Sequence, residues 1–364
     1  MQKLGLTAGL LFMGATGAWA EVLGTSLGDM EVSPVVTGLT EPWALAFLPD
    51  GQFLVTERDG RLMLYPAGGG EGQAVEGLPA VYASGQGGLL DVLIPADFAT
   101  SRAVWLSYAE PRGDGAGTAV GWGTLSQDGT RLEGFTPIFQ SPQGGQGGRH
   151  FGSRLVEGAD GTVYLTIGDR GTGPDGLQAQ DPSRPEGKII ALTRDAVAPA
   201  AIEGALRGVQ TLGHRNPQGL AVDAQGQIWA VEHGAQGGDE LNRIEPGKNY
   251  GWPVISYGEN YGGGTIGEGT AKAGMEQPVK MWDPSIAPSG LMVYQGSMFP
   301  EWQGDFFTGS LNSDYLSRLD PEMAYAEERL SSAETARVRD VVEAPDGSVW
   351  FLSVTDGTVY RIAR

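Results

Sequence analysis

Cysteine is absent from the 364 residues. That absence excludes disulfides, thiolate zinc sites, iron–sulfur clusters and cysteine nucleophiles together. Positive charge is scarce as well: 24 Lys plus Arg stand against 44 Asp plus Glu, for a formal net charge of −20. Nucleic acid and anionic membrane surfaces both demand clustered cations, so neither is an expected partner. Charged residues of both signs reach only 19%, while hydrophobic residues reach 40%, which suits a sizeable core rather than a disordered chain. Glycine is abundant instead, with 59 residues beside 22 prolines. Each Gly inside a helix costs roughly 0.5–1 kcal/mol relative to Ala, so long helices are not expected. What remains is an acidic, turn-rich, all-β chain.

The first residues read separately. Lys3 gives a small positive start, Leu4 to Met13 an apolar stretch, and Ala18-Trp19-Ala20 the A-x-A pattern of a signal-peptidase site. The apolar run falls short of the roughly 20 residues that a spanning helix needs. Residues 1–20 are therefore expected to be an export signal, with a mature start near Glu21, no membrane insertion, and a periplasmic or secreted destination. Without Lys3 the mature balance is 23 basic against 44 acidic residues, so the exported chain is more acidic still.

Within 21–364 the chain repeats itself weakly. Pro49-Asp50-Gly51-Gln52-Phe53-Leu54-Val55, Ala159-Asp160-Gly161-Thr162-Val163-Tyr164-Leu165, Ala224-Gln225-Gly226-Gln227-Ile228-Trp229-Ala230 and Pro345-Asp346-Gly347-Ser348-Val349-Trp350-Phe351 share one shape. A polar turn with Gly precedes a β-branched or aromatic run, which is a hairpin signal because Gly supplies the positive φ of a tight turn. The four glycines are separated by 110, 65 and 121 residues, so two degenerate copies are expected in the longer gaps, at Ala103–Tyr108 and Asp305–Gly309. Six modules of roughly 57 residues match four-stranded propeller blades with their loops. The fold expected is a six-bladed β-propeller of four-stranded antiparallel blades, the last completed by a strand near Val32–Val36. Function in such a fold belongs to loops that meet at the central channel.

Three histidines occur, all in Gly-rich polar segments. His150 follows a glycine-dense loop, and Asp169 ends the strand Val163–Ile167 plus Gly168. An imidazole beside a strand-end carboxylate suits a base and its orienter, though a capped surface histidine fits the same residues. Arg215-Asn216 sets a cationic fork beside a neutral donor–acceptor, suited to a ligand with carboxylates and carbonyls, while Asn-Pro also simply makes turns. Glu232 to Asn242 mixes carboxylates with glycines, an oxygen-only set that suits Ca²⁺ but lacks EF-hand spacing. Arg337 and Arg339 fall at period two, on one face of a strand, and like charges pointing into a channel mouth want an anion. On a solvated edge strand they would carry no such meaning.

Taken jointly, Gly85-Gln86-Gly87-Gly88, His150-Phe151-Gly152, Gly213-His214-Arg215-Asn216-Pro217-Gln218-Gly219, Glu232-His233-Gly234 with Gly237-Gly238-Asp239-Glu240 and Asn242, Lys248-Asn249-Tyr250-Gly251-Trp252-Pro253, and Arg337-Val338-Arg339-Asp340 run through the mature chain in one order. This set resembles the soluble PQQ-dependent aldose sugar dehydrogenases of the glucose/sorbosone dehydrogenase family. The resemblance implies a six-bladed propeller that oxidises the C1 hydroxyl of aldoses to lactones, with PQQ and Ca²⁺ as cofactors. It implies His150 as general base, Asp169 as its orienter, and Arg215 with Asn216 as contacts that stabilise charge on the quinone. Arg337 and Arg339 would flank the tricarboxylate, Gln86 and Tyr261 would be further PQQ contacts, and the carbonyls of Gly234 and Ala235 would hold the catalytic Ca²⁺. Glu240 and Tyr250 match calcium-binding positions of close relatives. Asn312 stands where relatives often carry Lys; it can donate a hydrogen bond but brings no charge. The expected electron acceptor is a periplasmic cytochrome or quinone, and a basic cytochrome would suit the acidic surface. Two other readings stand beside this one: a calcium-dependent lactone hydrolase, with several Asp, Glu or Asn side chains on a channel metal, and a non-catalytic ligand-binding propeller.

Overall fold

Six antiparallel sheets arranged as blades form the computed structural model, which describes residues 21–113, 115–142, 144–145, 147–171 and 174–364. The expected export signal, residues 1–20, lies outside the described residues. The first blade comprises Pro42–Phe47, Phe53–Glu57, Arg61–Tyr65 and Gln73–Ala74, and the second Leu89–Leu93, Ala103–Arg112, Gly115–Leu125 and Leu132–Gln140. The third comprises Leu155–Glu157, Val163–Ile167, Lys188–Leu192 and Val209–Leu212, and the fourth Pro217–Val222, Ile228–Glu232, Asp239–Ile244 and Lys280–Trp282. The fifth comprises Pro288–Val293, Phe306–Ser310, Leu316–Asp320 and Ala326–Leu330. In each blade the first strand touches the first strands of both neighbouring blades, so these strands form the inner ring.

The sixth blade departs from the four-stranded expectation. Its inner strands Val338–Glu343, Val349–Ser353 and Thr358–Ala363 are joined by Gly28–Val36 and then by a fifth, outermost strand, Glu21–Thr25. The closing strand pairs Glu31 with Ala363 and Val36 with Val359, so the expected closure near Val32–Val36 is present and begins earlier.

The repeated Asp-Gly or Gln-Gly segments are the turns between the first and second strands of the first, third, fourth and sixth blades. Gly51, Gly161, Gly226 and Gly347 adopt φ of 85°, 79°, 81° and 82°, values that L side chains resist. The two degenerate copies have a physical reason: this turn is rebuilt as a short helix, Phe98–Ser101, in the second blade and as a 3₁₀ turn, Pro300–Trp302, in the fifth. Because each sheet packs between two others, strands such as Phe53–Glu57 are buried on both faces, which explains their continuous apolar runs. The core lies between blades: Val55, Phe53 and Leu45 of the first pack with Trp350 and Leu352 of the sixth, where Phe53 stacks on Tyr65 at 5.3 Å and meets Trp350 edge-on at 5.2 Å. A buried aromatic pair of this kind adds about 0.5–1.5 kcal/mol beyond its area.

Candidate active site

A cavity of about 950 Å³ opens on the face opposite the Asp-Gly turns. Its walls come from two kinds of connection, those that lead into an inner strand and those that join a second strand to a third. Gln86, His150, Arg215, Asn216 and Arg337 belong to the first kind, and Arg58, Gly234, Ala235 and Asn312 to the second. Tyr261 is brought in by the long segment between the last two strands of the fourth blade.

His150 Nδ1 donates to Asp169 Oδ1 at 2.6 Å, and the His150 N–H donates to Gln86 Oε1 at 2.7 Å. Asp169 also accepts from the Trp252 indole at 2.9 Å and from the Gly171 N–H at 2.8 Å. The Nδ1 bond fixes the tautomer, which leaves the Nε2 lone pair as the proton acceptor. Burial holds the His150 imidazole below the ordinary histidine value despite the pull of Asp169, and the Arg215 charge adds to the depression. Burial alone would push the Asp169 carboxyl up, but its hydrogen bond and charge interaction with His150 leave it below the usual carboxylate value. Gly168 lets the two segments that carry this pair approach: a Cβ there would lie 2.3 Å from the His150 carbonyl oxygen.

The remaining histidines serve the framework. His233 Nε2 donates to the Pro288 carbonyl at 2.8 Å, so its Nδ1 accepts from Asn216 Nδ2 at 3.4 Å. Burial, with the charges of Arg215 and Arg339, pushes the His233 imidazole down to about 3, so it stays neutral and keeps that polarity. Asn216 Oδ1 in turn accepts from Gly152 N–H at 3.3 Å and Gln218 Nε2 at 3.2 Å. His214 is fully buried, with Nδ1 donating to Glu232 Oε1 at 2.8 Å and its ring stacked on Tyr250 at 4.7 Å.

Four guanidiniums border the cavity: Arg58, Arg215, Arg337 and Arg339. Arg215 reaches the His233 carbonyl and the Tyr261 hydroxyl, each at 3.4 Å, and lies over the Trp252 ring at 5.2 Å; Tyr261 itself is 75% exposed. Arg339 donates to Gln218 Oε1 at 2.8 Å and lies over Trp43 at 5.5 Å. Burial and the like charges of Arg154, Arg337 and Arg58 depress its guanidinium. Arg337 and Arg339 do reach one cavity, but not by strand period: Arg337 precedes the strand at φ 47°, and Arg339 sits where the register shifts between Val338 and Asp340. Arg58 escaped the sequence reading because Glu57-Arg58-Asp59-Gly60 looks like a solvated hairpin turn; its Nε is buried without a partner. Gln218 and Trp252 were likewise visible only as parts of longer motifs. Asn312 is exposed at the rim and donates to the Ser285 carbonyl at 3.2 Å.

The residues expected at calcium fall in two places. Gly234 and Ala235 border the large cavity, whereas Glu240 and Tyr250 border a separate one of about 20 Å³, which Gly234 also touches. Burial and the neighbouring Glu232 push the Glu240 carboxyl up to about 8. Asn242 Nδ2 donates to Glu232 Oε1 at 3.2 Å and Glu240 Oε2 at 3.0 Å, which leaves Asn242 Oδ1 buried with no partner. This small cavity is of single-ion size, and Glu232 and Glu240 bring carboxylate oxygens to its wall beside Arg215 and His233; hard oxygens of this kind suit Ca²⁺. The Tyr250 phenol is committed elsewhere, donating to the Arg243 carbonyl at 2.6 Å and accepting from Glu245 N–H at 2.9 Å. Among the described residues no group of three or more His, Cys, Asp or Glu side chains gathers, so any metal here needs amide and carbonyl oxygens.

The central channel carries Arg154 between Asp91 and Asp340, each 3.0 Å from its Nη1. A lactone hydrolase would need those carboxylates on a metal; here a guanidinium occupies the place between them.

Fold and site together define a six-bladed propeller whose cavity sets a hydrogen-bonded His–Asp pair among four guanidiniums. Residues 39–361 match the glucose/sorbosone dehydrogenase family. The chain is 40% identical to aldose sugar dehydrogenase YliI of Escherichia coli K12 over 327 residues, 86% of this chain and 87% of that protein. The apo-form crystal structure of the soluble aldose sugar dehydrogenase from Escherichia coli superposes with a TM-score of 0.86 at 38% identity, covering 92% of this chain and 99% of that one. The PQQ-bound aldose sugar dehydrogenase from Streptomyces coelicolor gives a TM-score of 0.76 at 28% identity, covering 92% and 98%. The chain belongs to the glucose/sorbosone dehydrogenase family and is an oxidoreductase of that class.

Proposed function

We propose that this protein is an exported aldose dehydrogenase that uses PQQ and Ca²⁺ to oxidise the C1 hydroxyl of a sugar to the lactone. The observation that carries the reading is the set of four guanidiniums around one cavity, with His150 on its wall. Mutual repulsion makes such a set costly without an anion, and PQQ is a tricarboxylate of matching charge. Arg58, Arg337 and Arg339 would neutralise its carboxylates, while Arg215 and the remaining Asn216 N–H would donate to its carbonyl oxygens. Bound PQQ would supply the two-electron acceptor for the hydride of C1.

The protein's own part is proton handling and placement. His150 Nε2 takes the C1 hydroxyl proton, and the resulting imidazolium is stabilised by Asp169 at 2.6 Å. The carbonyls of Gly234 and Ala235 would hold a Ca²⁺ beside the cofactor, and Glu240 with the neighbouring Glu232 would hold one in the small cavity. The YliI relationship supports an aldose as substrate. Export rests on the Ala18-Trp19-Ala20 pattern, and the net charge of −20 favours a basic periplasmic cytochrome as electron acceptor.

Purified apo-protein titrated with PQQ in the presence of Ca²⁺ is expected to gain dye-linked oxidation of aldoses. Absence of activity across a sugar panel, despite saturation with both cofactors, overturns the proposal. Calcium alone is expected to raise the Tm of the apo-protein, and more at pH 8 than at pH 6, because ligands must shed their protons and the Glu240 carboxyl does so only near 8. A calcium-induced shift unchanged in Glu240→Gln rules out the small cavity as a site.

A further inference from the structure

Arg170 is an unusual cation. It is 3% exposed, and among the described side chains no carboxylate forms an ion pair with its guanidinium. The Glu186 and Asp169 charges act on it only from beyond pairing distance, so direct ion pairing does not account for a cation this buried and its contacts call for an explanation. Nη1 donates to the Arg149 carbonyl at 2.6 Å, Nη2 donates to the Ala116 carbonyl at 3.0 Å, and the guanidinium carbon sits 3.4 Å from the Phe151 ring centroid. Arg149 and Phe151 are the residues on either side of His150. Asp169, the residue before Arg170, holds the His150 ring. One dipeptide therefore grips the imidazole through its ring and through both flanking residues, while Ala116 ties the assembly to the third strand of the second blade.

The backbone gives the grip a purpose. His150 lies at φ 53° and Arg170 at φ 62°, both in the left-handed region where non-glycine residues persist only when their surroundings hold them. We propose that Arg170 is a positioning residue for the base: it locks the backbone of His150 so that the imidazole keeps its Asp169 bond and presents Nε2 to the cavity. The proposal rests on the reading of His150 as the base. It requires a planar fork that reaches two carbonyls while stacking on a ring, which an ammonium group cannot provide.

The test compares Arg170→Met and Arg170→Lys in the full chain reconstituted with PQQ and Ca²⁺. A misplacement of the base is expected to lower kcat roughly 10–100-fold in both variants. The sugar KM and the PQQ titration should stay within about twofold of the parent, since the binding groups are untouched. Placed in a His150→Ala background, Arg170→Met should cost nothing further, because the group it positions is gone. Proton NMR of the apo-protein supplies a readout independent of turnover: the low-field Nδ1–H signal of His150, assignable because only three histidines exist, should be lost or broadened in both variants. Full activity in Arg170→Lys, an unchanged Nδ1–H signal, or costs that multiply in the double variant each overturn the proposal. If Arg170→Met does not fold, Phe151→Leu, which removes the stacked ring, must give the same loss of signal and kcat. Should His150→Ala prove fully active, the base reading fails, and the NMR signal still decides whether Arg170 orients that residue.

Discussion

His150→Ala is expected to cut turnover of the PQQ-loaded enzyme by roughly 10²–10⁴-fold, the usual loss when a general base is removed. The expectation rests on geometry: among the three histidines, His214 is fully buried with both ring nitrogens engaged and His233 is spent on Pro288 and Asn216, so neither can take over. Since burial holds the His150 imidazole below the ordinary histidine value, the base is neutral through pH 7, and kcat should decline only on acidification below that value. Asp169 raises the His150 affinity for protons, so Asp169→Asn should shift this acid limb lower still while it reduces the plateau. A pH–rate profile of each variant checks both statements. Retention of parental kcat in His150→Ala would remove this residue from the reaction.

The second large effect concerns stability. Arg154→Met is expected to destabilise the fold by about 3–5 kcal/mol, because it strands Asp91 and Asp340, each 3.0 Å from the same guanidinium nitrogen, as uncompensated buried carboxylates. The direction with pH follows from their proton affinities. Burial pushes both carboxyls up, Asp91 to about 7, and Arg154 is the main influence that opposes it. Its loss lifts them further, so the folded variant binds protons more tightly than its unfolded chain. The deficit is then fully present above the folded values and shrinks as both groups protonate. Denaturant unfolding at pH 8 and pH 5 should show a wide gap from the parent at the first and a narrower one at the second. A gap of equal size at both would mean that the charges are not what the substitution exposes. Arg154 also donates to the Gln218 carbonyl at 3.0 Å, and Gln218 orients Asn216, so weaker cofactor retention should accompany the instability.

Much of the architecture could be read from the chain because one turn is repeated with a physical constraint. Gly51, Gly161, Gly226 and Gly347 each meet a positive φ, and a β-branched or aromatic run must follow to fill the space between blades. Where that turn was rebuilt around Phe98–Ser101 or Pro300–Trp302, only spacing betrayed the blade. The site was legible where several functional residues are contiguous, as in Gly213 to Gly219. It was opaque where a single residue acts across the fold. Arg58 and Arg170 sit in turn-like sequences, and nothing local tells that one borders the cavity while the other stacks on Phe151. Arg337 and Arg339 reach the cavity through a left-handed residue and a register shift, which strand periodicity cannot foresee. The Tyr250 phenol shows what a motif leaves unsaid, namely which of a residue's oxygens is free: this one is taken up by Arg243 and Glu245.

The pairing of Glu31 with Ala363 also has a temporal meaning. The sheet that closes the circle takes three strands from one end of the polypeptide and two from the other. While the chain is being made, the early strands therefore wait for a partner that is synthesised last, and the first blade lacks one of its two neighbours for the same interval. The wall that holds Arg337 and Arg339 belongs to that final blade, so the anion cradle is assembled only when the circle closes. A fragment that stops short of Thr358 would have neither a seam nor a finished cofactor bed, and catalytic competence should arrive in one step with the last strand rather than accumulate blade by blade.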